Sequence, residues 1–313
     1  MLGVIGAILL ITFLTALVCF FMVFYSPKRR LPKDDEYEIP KGEIYEPYRD
    51  QIVEWIKDIR AMPHEVITIK SFDGINLVGY YYEYKRGAPT ELLFHGYRGN
   101  SERDLCGGVH RCFSLGRNAL IIDHRASGRS DGSVITFGIK ESKDVLRWIK
   151  YYTDRFGEEE RIILTGISMG AATVLMSLKY DLPKSVVCVL ADCPYTSPKA
   201  IISKVMRDMK LPVSIFYPFV RLGAAIFGGF DLESNSAISA VKNTKVPVIL
   251  IHGDTDDFVP CDMSRELYEA IPNDRKRFVA AKGAGHGLAF LTDKDGYIKA
   301  LYDFQEDMGY LKK

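Results

Sequence analysis

The chain has 313 residues, of which 47% are hydrophobic and 26% charged. That balance excludes disordered, collagen-like and coiled-coil proteins and allows one large core plus an appendage. Lys and Arg number 41 against 40 Asp and Glu, a net charge of +1. With no basic excess to track phosphates, no nucleic-acid partner is expected.

The appendage comes first. From Leu2 to Tyr25 no residue is charged, and the only polar side chains are Thr12, Thr15, Cys19 and Tyr25. As a helix this run reaches about 36 Å, enough for a hydrocarbon core of ~30 Å. It is too long for the apolar part of a signal peptide. No basic residue precedes it, and Phe24-Tyr25-Ser26 is no small-x-small cleavage site. Residues 1–25 therefore read as an uncleaved transmembrane anchor in the cell membrane. Lys28, Arg29, Arg30 and Lys33 crowd its C-terminal flank, which by the positive-inside rule places the bulk of the chain in the cytoplasm. Five cysteines lie beyond Cys19 (Cys106, Cys112, Cys188, Cys193 and Cys261) without metal-ligand spacing. No metal and no cofactor are expected.

Residues 26–62 read as a juxtamembrane linker punctuated by Pro27, Pro32, Pro40 and Pro47. It ends in an amphipathic helix over Gln51–Met62, where Ile52, Ile56 and Ile59 recur at helical spacing. A single apolar stripe of that kind suits a helix docked on a domain.

Residues 63–313 form the domain itself. Glu65–Ser71 and Ile75–Tyr84 flank Phe72-Asp73-Gly74 and predict an opening hairpin. Strand-like runs then follow at Glu91–Phe94, Ala119–Asp123, Arg161–Thr165, Val186–Leu190, Val246–Ile251 and Arg277–Ala281, with helical patterns between them. Near-continuous apolar strands separated by helices predict an α/β fold: eight strands, mostly parallel, covered on both faces. Chemistry in such sheets gathers at the carboxyl ends of the strands. One interval, about 194–240, carries no clear strand and is apolar and aromatic over Leu211–Phe230. It reads as a small helical lid over the pocket, with Phe216 and Phe219 as candidate substrate-binding residues.

Gly166-Ile167-Ser168-Met169-Gly170 follows a predicted strand and precedes a predicted helix. In that context the pattern is a tight turn that lifts a serine hydroxyl out of the sheet. A hydroxyl needs a base before it can attack. Among the six histidines, His286 alone sits in a flexible glycine-rich loop after the last strand, with room to swing towards Ser168. The imidazole in turn needs a carboxylate. The loop His252–Pro260 offers Asp254, close to the strand and suited to capping the turn, then Asp256, which has the better reach, and Asp257 as the next choice; Asp192 comes after them. Two backbone N–H groups should receive the developing negative charge: that of Met169, next to the serine, and that of Tyr97, after His95-Gly96.

These motifs resemble the alpha/beta hydrolases over roughly residues 64–310. His95-Gly96, the stretch Asp123–Ser130, the Ser168 turn, the His252–Pro260 loop and Gly285-His286-Gly287 stand in the order that the superfamily shows. With Asp192–Ser197 the chain looks most like a bacterial branch of small-lid, membrane-anchored, esterase-like hydrolases. The resemblance implies a serine hydrolase that cleaves carboxylic esters or thioesters, the substrate being a small molecule, a lipid or a lipidated one. A peptidase of the same fold and a non-catalytic binding protein are the alternatives. On this reading a chain starting near Asp50 keeps its activity on small esters and loses rate only on vesicle-bound ones.

Overall fold

The computed structural model describes residues 2–28, 30 and 32–309; Arg29, part of the basic flank, lies outside them. In chain order the helices are α1 (Leu2–Val23), α2 (Arg49–Ala61), α3 (Ser101–Ser114), α4 (Glu141–Phe156), α5 (Met169–Ser177), α6 (Pro198–Asp208), α7 (Val213–Ile226), α8 (Ala237–Ala240), α9 (Asp262–Ala270), α10 (Ala289–Thr292) and α11 (Lys294–Met308). The strands are β1 (Glu65–Lys70), β2 (Asn76–Tyr82), β3 (Thr90–Phe94), β4 (Asn118–Ile122), β5 (Ile162–Ile167), β6 (Val186–Asp192), β7 (Val248–Gly253) and β8 (Lys276–Ala281).

All eight strands form one sheet in the order β1-β2-β4-β3-β5-β6-β7-β8. β2 pairs antiparallel with β1 and β4, and every later pairing is parallel. The inner strands are buried on both faces, and their side chains alternate as a pleat requires. Leu92, Phe94, Leu120, Ile122, Leu164, Val189 and Leu250 face a core shared with α4 and α5. Leu93, Ala119 and Ile121 turn the other way, towards α2 and α3, and Ile163, Leu190 and Ile249 towards α11.

Linker helix α2 docks on the domain through Ile52, Trp55, Ile56 and Ile59, all buried. Its close approach to α3 depends on Gly107, where an added Cβ would lie 2.5 Å from the Trp55 ring.

The second core is crossed by a buried charge cluster. Glu91 is fully buried and accepts from Arg117 at 2.6 Å, from Thr165 at 2.8 Å and also from Arg111. Burial pushes the Glu91 carboxyl up, but the two guanidinium charges outweigh it and hold it at about 2, below its ordinary 4.5. A depressed carboxylate stabilises the fold above its unfolded pKa, and that contribution drains away as pH falls from about 4.5 towards 2. Glu91→Gln removes the carboxylate that two buried guanidinium groups share and should cost roughly 3–5 kcal/mol at neutral pH. Thermal melts from pH 7 down to pH 3 should show a shallower acid dependence in the variant than in the wild type. Parallel acid slopes would show that Glu91 does not carry this effect.

The insert after β6 is helical, as expected, with α6, α7 and α8. Its placement is not the expected one: α7 packs along α1. An added Cβ on Gly223 would lie 2.6 Å from the Ala16 carbonyl oxygen, and the rings of Phe13 and Phe20 meet Phe227 at 5.2 and 5.7 Å.

Candidate active site

β5 ends at Ile167, and Ser168 follows with φ 55° and ψ −115° before α5 begins. This left-handed geometry is strained for a non-glycine residue. The neighbours make it possible: a Cβ on Gly166 would sit 2.2 Å from the Gly170 carbonyl carbon, and one on Gly170 would sit 2.0 Å from the Phe94 carbonyl oxygen. The Ser168 N–H donates to the Asp192 carbonyl at 2.8 Å, pinning the turn to β6. Replacing Gly170 with Val should therefore prevent folding rather than tune function, with aggregation on expression as the measurement.

His286 sits in the loop after β8. Its Nε2 lies 2.9 Å from the Ser168 Oγ and its Nδ1 lies 2.7 Å from Oδ2 of Asp256. Asp256 also accepts from the backbone N–H groups of Phe258 and Val259 at 3.0 and 2.8 Å. Burial pushes its carboxyl up, yet hydrogen bonds from His252, His286 and Val259 overcome that and hold it well below the usual carboxylate range. It is therefore an anion at neutral pH. Asp254 accepts from the Gly283 N–H at 2.6 Å and caps the loop, Asp257 is exposed, and Oδ2 of Asp192 accepts from the Tyr297 hydroxyl at 3.0 Å.

His252 adds a second imidazole to Asp256. Its Nε2 lies 2.8 Å from the Val259 carbonyl and 3.2 Å from Asp256 Oδ2. A carbonyl can only accept, so Nε2 carries the proton and Nδ1 accepts from the Ser264 hydroxyl at 2.6 Å. Cys193 also lies at this site. Its Sγ, an Asp256 oxygen and a His286 nitrogen lie within 4.8 Å of one another, close enough for a metal ion. Burial pushes the Cys193 thiol well up, and a metal would have to displace the Asp256–His286 hydrogen bond.

The Met169 N–H opens α5 and so belongs to the first turn, whose donors have no intrahelical acceptor. Tyr97 borders the same cavity, on the loop after β3. That loop crosses directly over the serine, since a Cβ on Gly96 would lie 3.6 Å from the Ser168 Cβ. The Tyr97 hydroxyl donates to the Val23 carbonyl at 2.6 Å, and Arg98 donates to the carbonyls of Met22 and Tyr25 at 2.9 and 3.1 Å.

Ser168 and His286 open on a cavity of about 390 Å³ whose walls include Tyr45, Ile52, Trp55, Leu93 and Leu291. Phe216 and Phe219 do not border it. That expectation is corrected: α7 is held against α1, and the linker covers the cavity instead. Tyr45 donates from its hydroxyl to the His286 carbonyl at 3.0 Å, and burial pushes that phenol up, so it keeps its proton. No sequence pattern marks this strap as a wall, because its contacts cross about 240 residues of chain.

Sheet order and the Ser168 turn together define an alpha/beta hydrolase. Residues 136–309, more than half of the chain, match the model of the prolyl oligopeptidase family, and the chain belongs to that family. Among characterised folds, an esterase of Pyrococcus furiosus, Pf2001, superposes with a TM-score of 0.65 at 23% identity over 88% of this chain and 99% of that one. By sequence, the uncharacterized protein YqkD of Bacillus subtilis is 24% identical over 94% of both chains. The lysophosphatidylserine lipase ABHD12 of Danio rerio is 26% identical over 58% of this chain and 47% of its own length.

Proposed function

We propose that the protein is a membrane-anchored serine hydrolase that cleaves carboxylic ester or thioester bonds through an acyl-enzyme. The observation that carries this is the unbroken run of hydrogen-bond distances from Ser168 through His286 to Asp256. Ser168 Oγ attacks the acyl carbon while its proton passes to Nε2 of His286. The negative oxygen settles on the N–H groups of Met169 and Tyr97. Collapse expels the alcohol or thiol, which takes the proton from His286, and water repeats the sequence to free the acid. Asp256 keeps the imidazole in the tautomer with its proton on Nδ1 and stabilises the imidazolium.

Residues 1–25 serve as the anchor, 26–62 as the linker that walls the cavity, and 63–313 as the hydrolase domain. The basic flank that includes Lys28, Arg30 and Lys33 supports a cytoplasmic domain. The family match favours a second reading, peptide cleavage. Holding a peptide's amine calls for an accessible, uncommitted carboxylate in the cavity: Asp104 is already engaged by Arg103 at 2.6 Å and by the Gly96 N–H at 3.1 Å, and Asp192, whose Oδ1 has no side-chain or backbone partner, is buried with its carboxyl pushed up by desolvation. The mostly apolar wall suits an acyl chain better.

A panel of p-nitrophenyl esters of increasing chain length beside aminoacyl p-nitroanilides separates the two. Ester turnover with little anilide turnover is expected; the reverse sinks the ester reading. Trp55 stacks on Phe290 with ring centroids 5.7 Å apart at the cavity wall. Trp55→Ala should shift the preferred acyl chain upward by several carbons, read on the same panel.

A further inference from the structure

Helix α7 carries a face that the core does not use. Tyr217, Val220, Gly223 and Ala224 are buried. Ile215, Phe219, Leu222 and Ile226 recur at steps of four, three and four, which on a helix makes a single stripe. Ile215 and Ile226 are 57% and 52% exposed, and Phe219 and Leu222 are half-buried. Arg221, the only charge in the helix, lies off this stripe and pairs with Glu233 at 3.3 Å and Asp231 at 3.8 Å.

The position of α7 says what the stripe meets. It lies along α1, a 22-residue apolar helix long enough to cross a bilayer. The contact runs from Phe20 back to Phe13, so it reaches about 15 Å below the helix end at 1.5 Å per residue. That is about half of a ~30 Å hydrocarbon core. A helix packed against a membrane span at that depth is itself in the leaflet.

We propose that α7 is immersed beside α1, with Ile215, Phe219, Leu222 and Ile226 against lipid acyl chains. This rests on the proposed reading of α1 as a membrane anchor and not on the catalytic reading. It places the domain in the membrane rather than on a tether above it, and the cavity opens at the headgroup level, since Tyr97 and Arg98 both border it and bind the last carbonyls of α1.

The full chain with Ile226→Trp, and separately with Ile215→Trp, would be reconstituted in phosphatidylcholine–phosphatidylglycerol vesicles. Trp55 and Trp148, both buried, give the wild-type emission to subtract. Leu9→Trp in α1 reports the span itself, and circular dichroism checks the fold. The added emission at 226 should be blue-shifted, largely lost to doxyl-labelled lipid and insensitive to iodide, as at position 9. Quenching by iodide and not by lipid would overturn the proposal. So would blue-shifted emission that neither agent quenches, which would mean that protein, a second copy for instance, covers the stripe. Loss to lipid at position 9 alone would leave the anchor in place and remove α7 from the leaflet.

Discussion

Ser168→Ala should lower ester hydrolysis by about a millionfold, the cost of losing the nucleophile when the rest of the site survives. A fluorophosphonate probe should label the wild type and leave the variant unlabelled. The change deletes one oxygen at a turn whose shape is set by Gly166, Gly170 and the Asp192 carbonyl, so the melting temperature should hardly move. Equal labelling of the two proteins would put the nucleophile elsewhere.

Asp256→Asn comes next in size. An amide cannot accept from Nδ1 of His286 through its NH2 group, and it brings no charge to the imidazolium. Turnover should fall by about ten-thousandfold with KM little changed. Stability should fall too, since Asp256 also gathers His252 and two backbone N–H groups. Asp257→Asn should be close to neutral. If kinetics ranked the two substitutions in the opposite order, the assignment of the carboxylate would have to move while Ser168 and His286 kept their parts.

How much of this was legible depends on the range of the forces involved. The strands could be read because each is a local apolar run between turn residues, and each predicted one lies within about two residues of its place, the usual uncertainty of element ends. The turn at Ser168 could be read because its glycines answer a local steric demand. The packing of α7 could not. An apolar helix after β6 satisfies the same pattern whether it roofs a pocket or lies on another apolar helix, and the choice is made by Gly223 against Ala16. The linker's Ile52, Ile56 and Ile59 announced a docked helix, but nothing local told Tyr45 and Trp55 that the surface they would cover held Ser168. His252 directly follows the predicted strand Val246–Ile251, but its hold on Asp256 needed the loop to fold back over four residues.

Three carbonyls at and just past the end of α1, those of Met22, Val23 and Tyr25, are satisfied by side chains of one loop, and that loop passes over Ser168. The N-terminal apolar helix is thus a strut for the loop over the serine, whatever else it does. A chain cut to begin at Asp50 loses those three acceptors and Tyr45 from the cavity wall together. The simple expectation that such a chain keeps its rate on small esters gives way to a different one. Kinetics from a soluble fragment would describe another protein's pocket, with water standing where the helix end and the tyrosine had been, and a soluble version worth measuring would have to replace the strut before removing it.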